Sequence, residues 1–140
     1  TSAPAIADYA AELLAADGLD LTEKDSYIDS REKVHFNRLS AAERKALIEK
    51  NPAYGRVICR CETVTEGEIL DAIHSPIPPV SVDGIKRRTG AGMGRCQGGF
   101  CGPRVVDLLA RELGVSPLTV LQDRDGSEIL TAYTKGEVRA

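Results

Sequence analysis

Apolar positions recur along this chain at helical rather than alternating spacing. In TSAPAIADYAAELLAADG, Ile6, Ala10, Leu13 and Leu14 make one stripe, Ser2 stands where a cap belongs and Pro4 fits a first turn. Gly18 is a stop, so a helix is predicted over residues 3–16. Residues 19–38, LDLTEKDSYIDSREKVHFNR, are polar with weak periodicity and read as a linker. Ser40 and Glu43 form a capping box that opens a helix over 40–50, which Asn51-Pro52 ends. Thr65 and Glu68 form a second box. With Val64 stapled onto Ile69, it predicts a helix over 65–74 burying Ile69, Ala72 and Ile73.

SPIPPV, residues 75–80, reads as an extended connection, and VDGIKRRT as a short helix over 83–88. Gly102-Pro103 opens the clearest helix, 103–113, with Val105, Val106, Leu109 and Leu113 inward and Gly114 as its stop. Ser116-Pro117 starts another over 117–122, and SEILTAYT in the tail is the one strand expected. The fold class is therefore mainly α with minor β.

Composition restricts what such helices can pack. Of 140 residues, 42% are hydrophobic and 28% charged, whereas aromatics are only 4% and tryptophan is absent, so the core is expected to be aliphatic. No apolar run approaches the roughly 20 residues that span a bilayer, and the N-terminus lacks the layout of a signal peptide. A cytoplasmic protein without an integral membrane segment is expected. A chain that begins directly at a helix cap also suggests a piece of something longer.

The net charge of −3 conceals an asymmetry. Residues 1–30 hold seven acids against Lys24 alone, whereas residues 84–106 hold Lys86, Arg87, Arg88, Arg95 and Arg104 with no acid. Phe100 is the only aromatic there and the chain as a whole is acidic, which argues against nucleic acid as the partner.

The basic stretch surrounds one of two cysteine pairs. All four cysteines fall in two short windows, Cys59-x-Cys61 and Cys96-x4-Cys101, separated by 34 residues. In a reducing compartment this usage points to metal rather than disulfides. Structural zinc sites space paired ligands as C-x2-C to C-x4-C, which suits the second pair. The single spacer of the first is tight for one small ion. A two-iron cluster relaxes the constraint, since each pair can hold its own iron, so the arithmetic favours iron–sulfur while zinc stays open. An anionic cluster needs N–H donors and positive charge. Both pairs run into predicted helix starts, Arg60, Arg95 and Arg104 sit beside the cysteines, and glycines at 90, 92, 94, 98, 99 and 102 expose backbone amides.

Catalytic constellations are absent from the pattern. His35 and His74 are isolated, no serine lies in a nucleophile elbow, and the C-x-x-C of thiol-redox enzymes is missing. GAGMG lies before the second cysteine pair, outside any strand–helix unit, so it is not a dinucleotide fingerprint.

ICRCE, T-x-G-E-I and GIKRRTGAGMGRCQGGFCGPRV together resemble the BFD-like 2Fe-2S domain over roughly residues 54–122. The smallest members of that family close with C-x2-C. The C-x4-C found here resembles instead the copy at the C-terminus of FAD-dependent glycerol-3-phosphate dehydrogenases and related oxidoreductases. The opening helix is similar to the last helix of the flavin domain in that class.

The resemblance implies one [2Fe-2S] cluster on Cys59, Cys61, Cys96 and Cys101, with Arg60, Arg95 and Arg104 offsetting its charge. It implies residues 1–52 as flavin-domain helix plus helical linker, 53–122 as the cluster domain and 123–140 as tail. FAD would belong to a missing N-terminal domain of the same parent chain. The cluster would take electrons from that flavin and pass them to a downstream acceptor or partner subunit, the fragment alone having no dehydrogenase activity. The alternative is a structural or docking module stapled by zinc or by an idle cluster.

Overall fold

The computed structural model describes residues 2–27, 30 and 33–135. The chain divides into two compact units, Thr1–Lys33 and Val34–Ala140. Among the described residues there are five α-helices and one two-stranded sheet, the mainly α class expected.

The first unit holds α1 (Ala3–Ala16). Ser2 occupies the N-cap position but its backbone is already helical and its side chain makes no capping bond, so the expected cap is not formed. The C-terminus behaves as expected: Gly18 takes φ 92°, and the amides of Gly18 and Leu19 donate to the carbonyls of Ala15 and Leu14. No residue of α1 is buried, and Ile6, Tyr9, Leu13 and Leu14 all face solvent.

The second unit begins within the stretch read as linker. Residues Phe36–Arg38 form a short 3-10 helix in which Phe36 is buried. Its amide donates to Glu68 Oε1 at 3.1 Å and the Arg44 guanidinium stacks 5.2 Å above its ring, contacts that residue 36 gains only from distant partners. Next comes α2 (Ala41–Lys50), closed at its start by the reciprocal Ser40–Glu43 box. Asn51 then caps a second 3-10 turn, Pro52–Gly55, which delivers Tyr54 to the core.

Two strands, β1 (Val57–Cys59) and β2 (Val64–Thr65), pair antiparallel with a register shift between Val57 and Cys59. β structure was expected only in the tail. It sits instead at the first cysteine pair, where the turn between the strands holds Thr63 at φ 53°. α3 (Glu66–Ile73) follows directly, with the Thr65–Glu68 box formed in both directions. Its buried face is Glu66, Gly67, Ile69 and Ile73, with Ala72 only half-buried. A Cβ on Gly67 would lie 2.6 Å from the Tyr54 ring, so glycine is what lets the ring lie flat on the helix. The Tyr54 hydroxyl donates to Asp71 on the same helix, and burial raises its pKa.

α4 (Val82–Thr89) is capped by Ser81 and stopped by Gly90 at φ 84°. α5 (Gly102–Leu113) ends at Gly114 with φ 65°. It buries Val105, Val106, Leu108, Leu109 and Ala110 against Ile58, Ile69, Ile85 and Val120, a largely aliphatic core to which Phe36 and Tyr54 add the buried aromatic rings. The helix expected over 117–122 is only a 3-10 turn, Pro117–Thr119. Leu121 is drawn out of it by bridges to Ser81 and Glu128. The strand expected in SEILTAYT is likewise absent from the described residues, Glu128 contributing no more than that one bridge.

A buried carboxylate ties the hairpin to both helices. Glu66, 5% exposed, accepts from Arg56 before β1 and from Arg111 Nη2 on α5 at 3.1 Å, and Arg111 also binds Glu112 at 2.8 Å. The hydrogen bond from Arg56, with that from Arg111, holds the Glu66 pKa below its ordinary value of 4.5. A carboxylate depressed in the folded state stabilises the fold above its unfolded pKa, and that contribution is lost as pH falls through the folded value. Glu66→Gln is therefore expected to lower stability by about 1–3 kcal/mol at neutral pH. Thermal melts should show the gap between parent and variant closing as pH drops below 4.5. A gap that stays constant with pH would mean that the ionised form of Glu66 gives no net stabilisation.

Candidate metal centre

β1 carries Cys59 into the core, where it is 1% exposed, and the tight turn that follows puts Cys61 at the surface. Cys101 is 2% exposed at the N-cap position of α5, and Cys96 lies half-buried in the loop between α4 and α5. That loop is shaped by residues that tolerate a left-handed backbone, Gly92 at φ 89° and Gly98 at φ 85°. Gln97 takes φ 48° without being glycine. Its side-chain amide donates to the carbonyls of Met93 and Gly94 at 3.1 and 2.9 Å, bonds that hold the strained turn.

The two windows meet. Cys61 Sγ lies 3.6 Å from Cys96 Sγ, and Cys59 is in contact with Cys101. Both of these contacts join one window to the other. Gly94 is the point of closest approach, for a Cβ there would fall 2.1 Å from the Cys61 Cβ. All four cysteines line one cavity of about 390 Å³ together with Val57, Ile58, Phe100 and the three arginines expected there, Arg60, Arg95 and Arg104.

The other basic residues lie elsewhere. Arg87 pairs with Asp123 at 2.6 Å and Lys86 lines a different cavity. His74 is bound to Glu112 at 2.8 Å, and neither it nor His35 lines the cysteine cavity. Sequence reasoning did not single out Gln97, Phe100 or the contact made by Gly94. A glycine one residue before the Arg95-Cys96 dipeptide was the available signal for the last.

The thiols differ in character. The backbone amide of Phe100, then the Cys61 thiol and, more weakly, the amides of Gly98 and Gly99 favour the ionised Cys96 sulfur and hold its pKa below the ordinary value. Burial pushes the Cys101 thiol up to about 11, and the neighbouring Cys59 adds to the rise. Four thiolates in one pocket repel one another, so ionising all of them needs a bound cation. Two thiol pairs facing one cavity, with amide donors and guanidinium groups around them, fit the donor set of a two-iron centre better than that of one zinc ion.

Comparison with known proteins agrees. Residues 57–111, which include all four cysteines, match the BFD-like [2Fe-2S] binding domain. A glycerol 3-phosphate dehydrogenase of Caloramator mitchellensis is 46% identical over 140 residues, covering 99% of this chain and 29% of that protein. The hydrogen cyanide synthase subunit HcnB of Pseudomonas aeruginosa is 38% identical over 95 residues, 60% of this chain and 20% of its own length. From Escherichia coli K12, an anaerobic glycerol-3-phosphate dehydrogenase subunit is 36% identical over 66 residues, 47% of this chain and 12% of its own. The chain thus spans less than a third of each of these relatives. No solved structure matches it. No helix among the described residues is long and apolar enough to cross a membrane. Residues 57–111 of this chain belong to the BFD-like [2Fe-2S] binding domain family, a family that implies iron–sulfur binding.

Proposed function

We propose that the chain is the electron-transfer module of a flavin-dependent oxidoreductase of glycerol-3-phosphate dehydrogenase type, with residues 53–122 as its cluster domain. The observation that carries this reading is the convergence of four thiols on one cavity, with Cys61 and Cys96 at 3.6 Å. Cys61 and Cys96 would hold one iron, and Cys59 and Cys101 the other. When bound, a [2Fe-2S] cluster supplies one-electron transfer between a donor and an acceptor.

The chain's own residues make that centre tenable. Amides of residues 98–100 stabilise thiolate charge on Cys96, the N-terminus of α5 adds positive potential at Cys101, and Arg60, Arg95 and Arg104 offset the remainder. Burial of Cys59 and Cys101 keeps water from one side, while Cys61 marks the side open to electron exchange.

The donor in this reading is FAD in a domain that precedes these residues in the parent chain, with α1 as that domain's last helix. Two facts support it. The alignment to the Caloramator protein takes in nearly the whole chain, α1 included, and α1 has an apolar stripe that no described residue of its own unit buries. Electrons then pass to a downstream acceptor or partner subunit in the cytoplasm, where the thiols stay reduced.

An anaerobic preparation should be red-brown, with visible bands bleached by dithionite and a paramagnetic resonance signal in the reduced state. A colourless protein carrying one stoichiometric zinc would overturn the proposal in favour of a metal-stapled structural module.

A further inference from the structure

Phe100 is 83% exposed, on a chain whose only other phenylalanine, Phe36, is buried. A bare aromatic ring at the mouth of the cysteine cavity does nothing for the core. Beside it Arg60, Arg95 and Arg104 are exposed, and none of their guanidinium groups has a hydrogen bond or ion pair to another described residue. Arg56, Arg87 and Arg111, by contrast, are each neutralised by a carboxylate. Glu62 is the acid next to this face, half-buried against Gly94, so the side chains of the rim carry three positive charges to one negative before the charge of a bound cluster is counted. On a chain of net charge −3 the rim is a local inversion of sign.

We propose that this rim is a docking face for an acidic redox protein, with the Phe100 ring as its anchor in an apolar recess of the partner and the three arginines as its charge complement. The inference rests on the electron-transfer reading, for it places the partner over Cys61, the most accessible of the four thiols. Phenylalanine and arginine are both enriched at protein interfaces, and arginine is among the residues that carry most of their binding energy. Unpaired surface charge steers an oppositely charged protein into encounter.

The test uses an acidic flavodoxin as probe, with affinity for the 140-residue chain measured by titration calorimetry at about 20 mM and about 300 mM salt, on either side of effective screening. The parent should bind and weaken with salt. The combined Arg60→Gln, Arg95→Gln, Arg104→Gln variant should lose about tenfold at low salt. Phe100→Ala should lose about tenfold at both salts, because its contribution is not ionic. Lys45→Gln, which removes an exposed charge on α2, should bind like the parent and so controls for net charge.

Equal affinity of parent, arginine and Phe100 variants, all with full visible absorption, would overturn the docking face and leave the cluster reading standing. A colourless protein that still binds through Phe100 and the arginines would do the reverse. Binding of a single-stranded oligonucleotide in place of flavodoxin would overturn the proposal. So would self-association in sedimentation that Phe100→Ala abolishes.

Discussion

Cys59→Ser is expected to abolish the visible absorption of the cluster and to lower stability by more than the roughly 1–3 kcal/mol that an unsatisfied buried hydroxyl costs. Two effects combine. A serine hydroxyl does not ionise near neutral pH, so one iron would lose a thiolate, and a metal site that forms only in the folded chain carries its binding free energy into folding. The hydroxyl would also stand in the core at a position 1% exposed, where an unsatisfied donor costs about 1–3 kcal/mol by itself.

The two contributions are separable. Cys61→Ser should lose the same absorption, but Cys61 is exposed, so its apoprotein should melt close to the parent apoprotein. The Cys59→Ser apoprotein should melt lower. Iron content, visible circular dichroism and thermal melts on the parent and the two variants decide the matter. Parent-level iron in Cys59→Ser would remove Cys59 from the ligand set.

Gly94→Ala is expected to remove most of the cluster without touching a thiol. The added methyl would sit 2.1 Å from the Cys61 Cβ, 3.2 Å from its sulfur and 3.1 Å from Glu62 Oε1. Carbon atoms rest at roughly 3.5–4.0 Å, so the turn holding Cys61 must retreat by more than about 1 Å. That displacement opens the 3.6 Å approach of Cys61 to Cys96. Overpacking of this kind costs about 1–3 kcal/mol where the neighbours can shift, and the cluster, which depends on the sulfur positions, suffers more than the fold.

Gly94 lies outside the positive-φ region, so alanine is not penalised by its backbone and the steric contact alone is tested. Gly102→Ala serves as the comparison, since nothing lies within 4 Å of a Cβ there. Equal cluster content in both variants would show that the loop and the turn need not meet as closely as they do.

Helix positions were legible because their signals are local. The Ser40–Glu43 and Thr65–Glu68 boxes bond within one turn, and Gly90 and Gly114 end helices through their own backbone freedom. Strands were misplaced for the complementary reason. β1 and β2 have three and two residues, too few to display alternation, and they exist only because they pair with one another. SEILTAYT has the composition of a strand but no strand partner among the described residues. Pro117–Thr119 stops short because Leu121 is held by Ser81, 40 positions away in sequence.

By itself the sequence determined the helices, their caps, the aliphatic core and the chemistry at stake: four thiols in two tight windows, arginine beside them and glycine around them. All of these depend on residue type or on bonds within a few positions. Which thiol faces which was decided by tertiary structure, because the 34 residues between the windows close through the packing of α3, α4 and α5, and spacing within a window does not report on it. The same packing left Phe100 bare while burying Phe36, although both sit in polar surroundings in sequence. Phe36 finds Glu68 and Arg44 across the fold, whereas Phe100 projects from a loop whose backbone is already committed to Cys96.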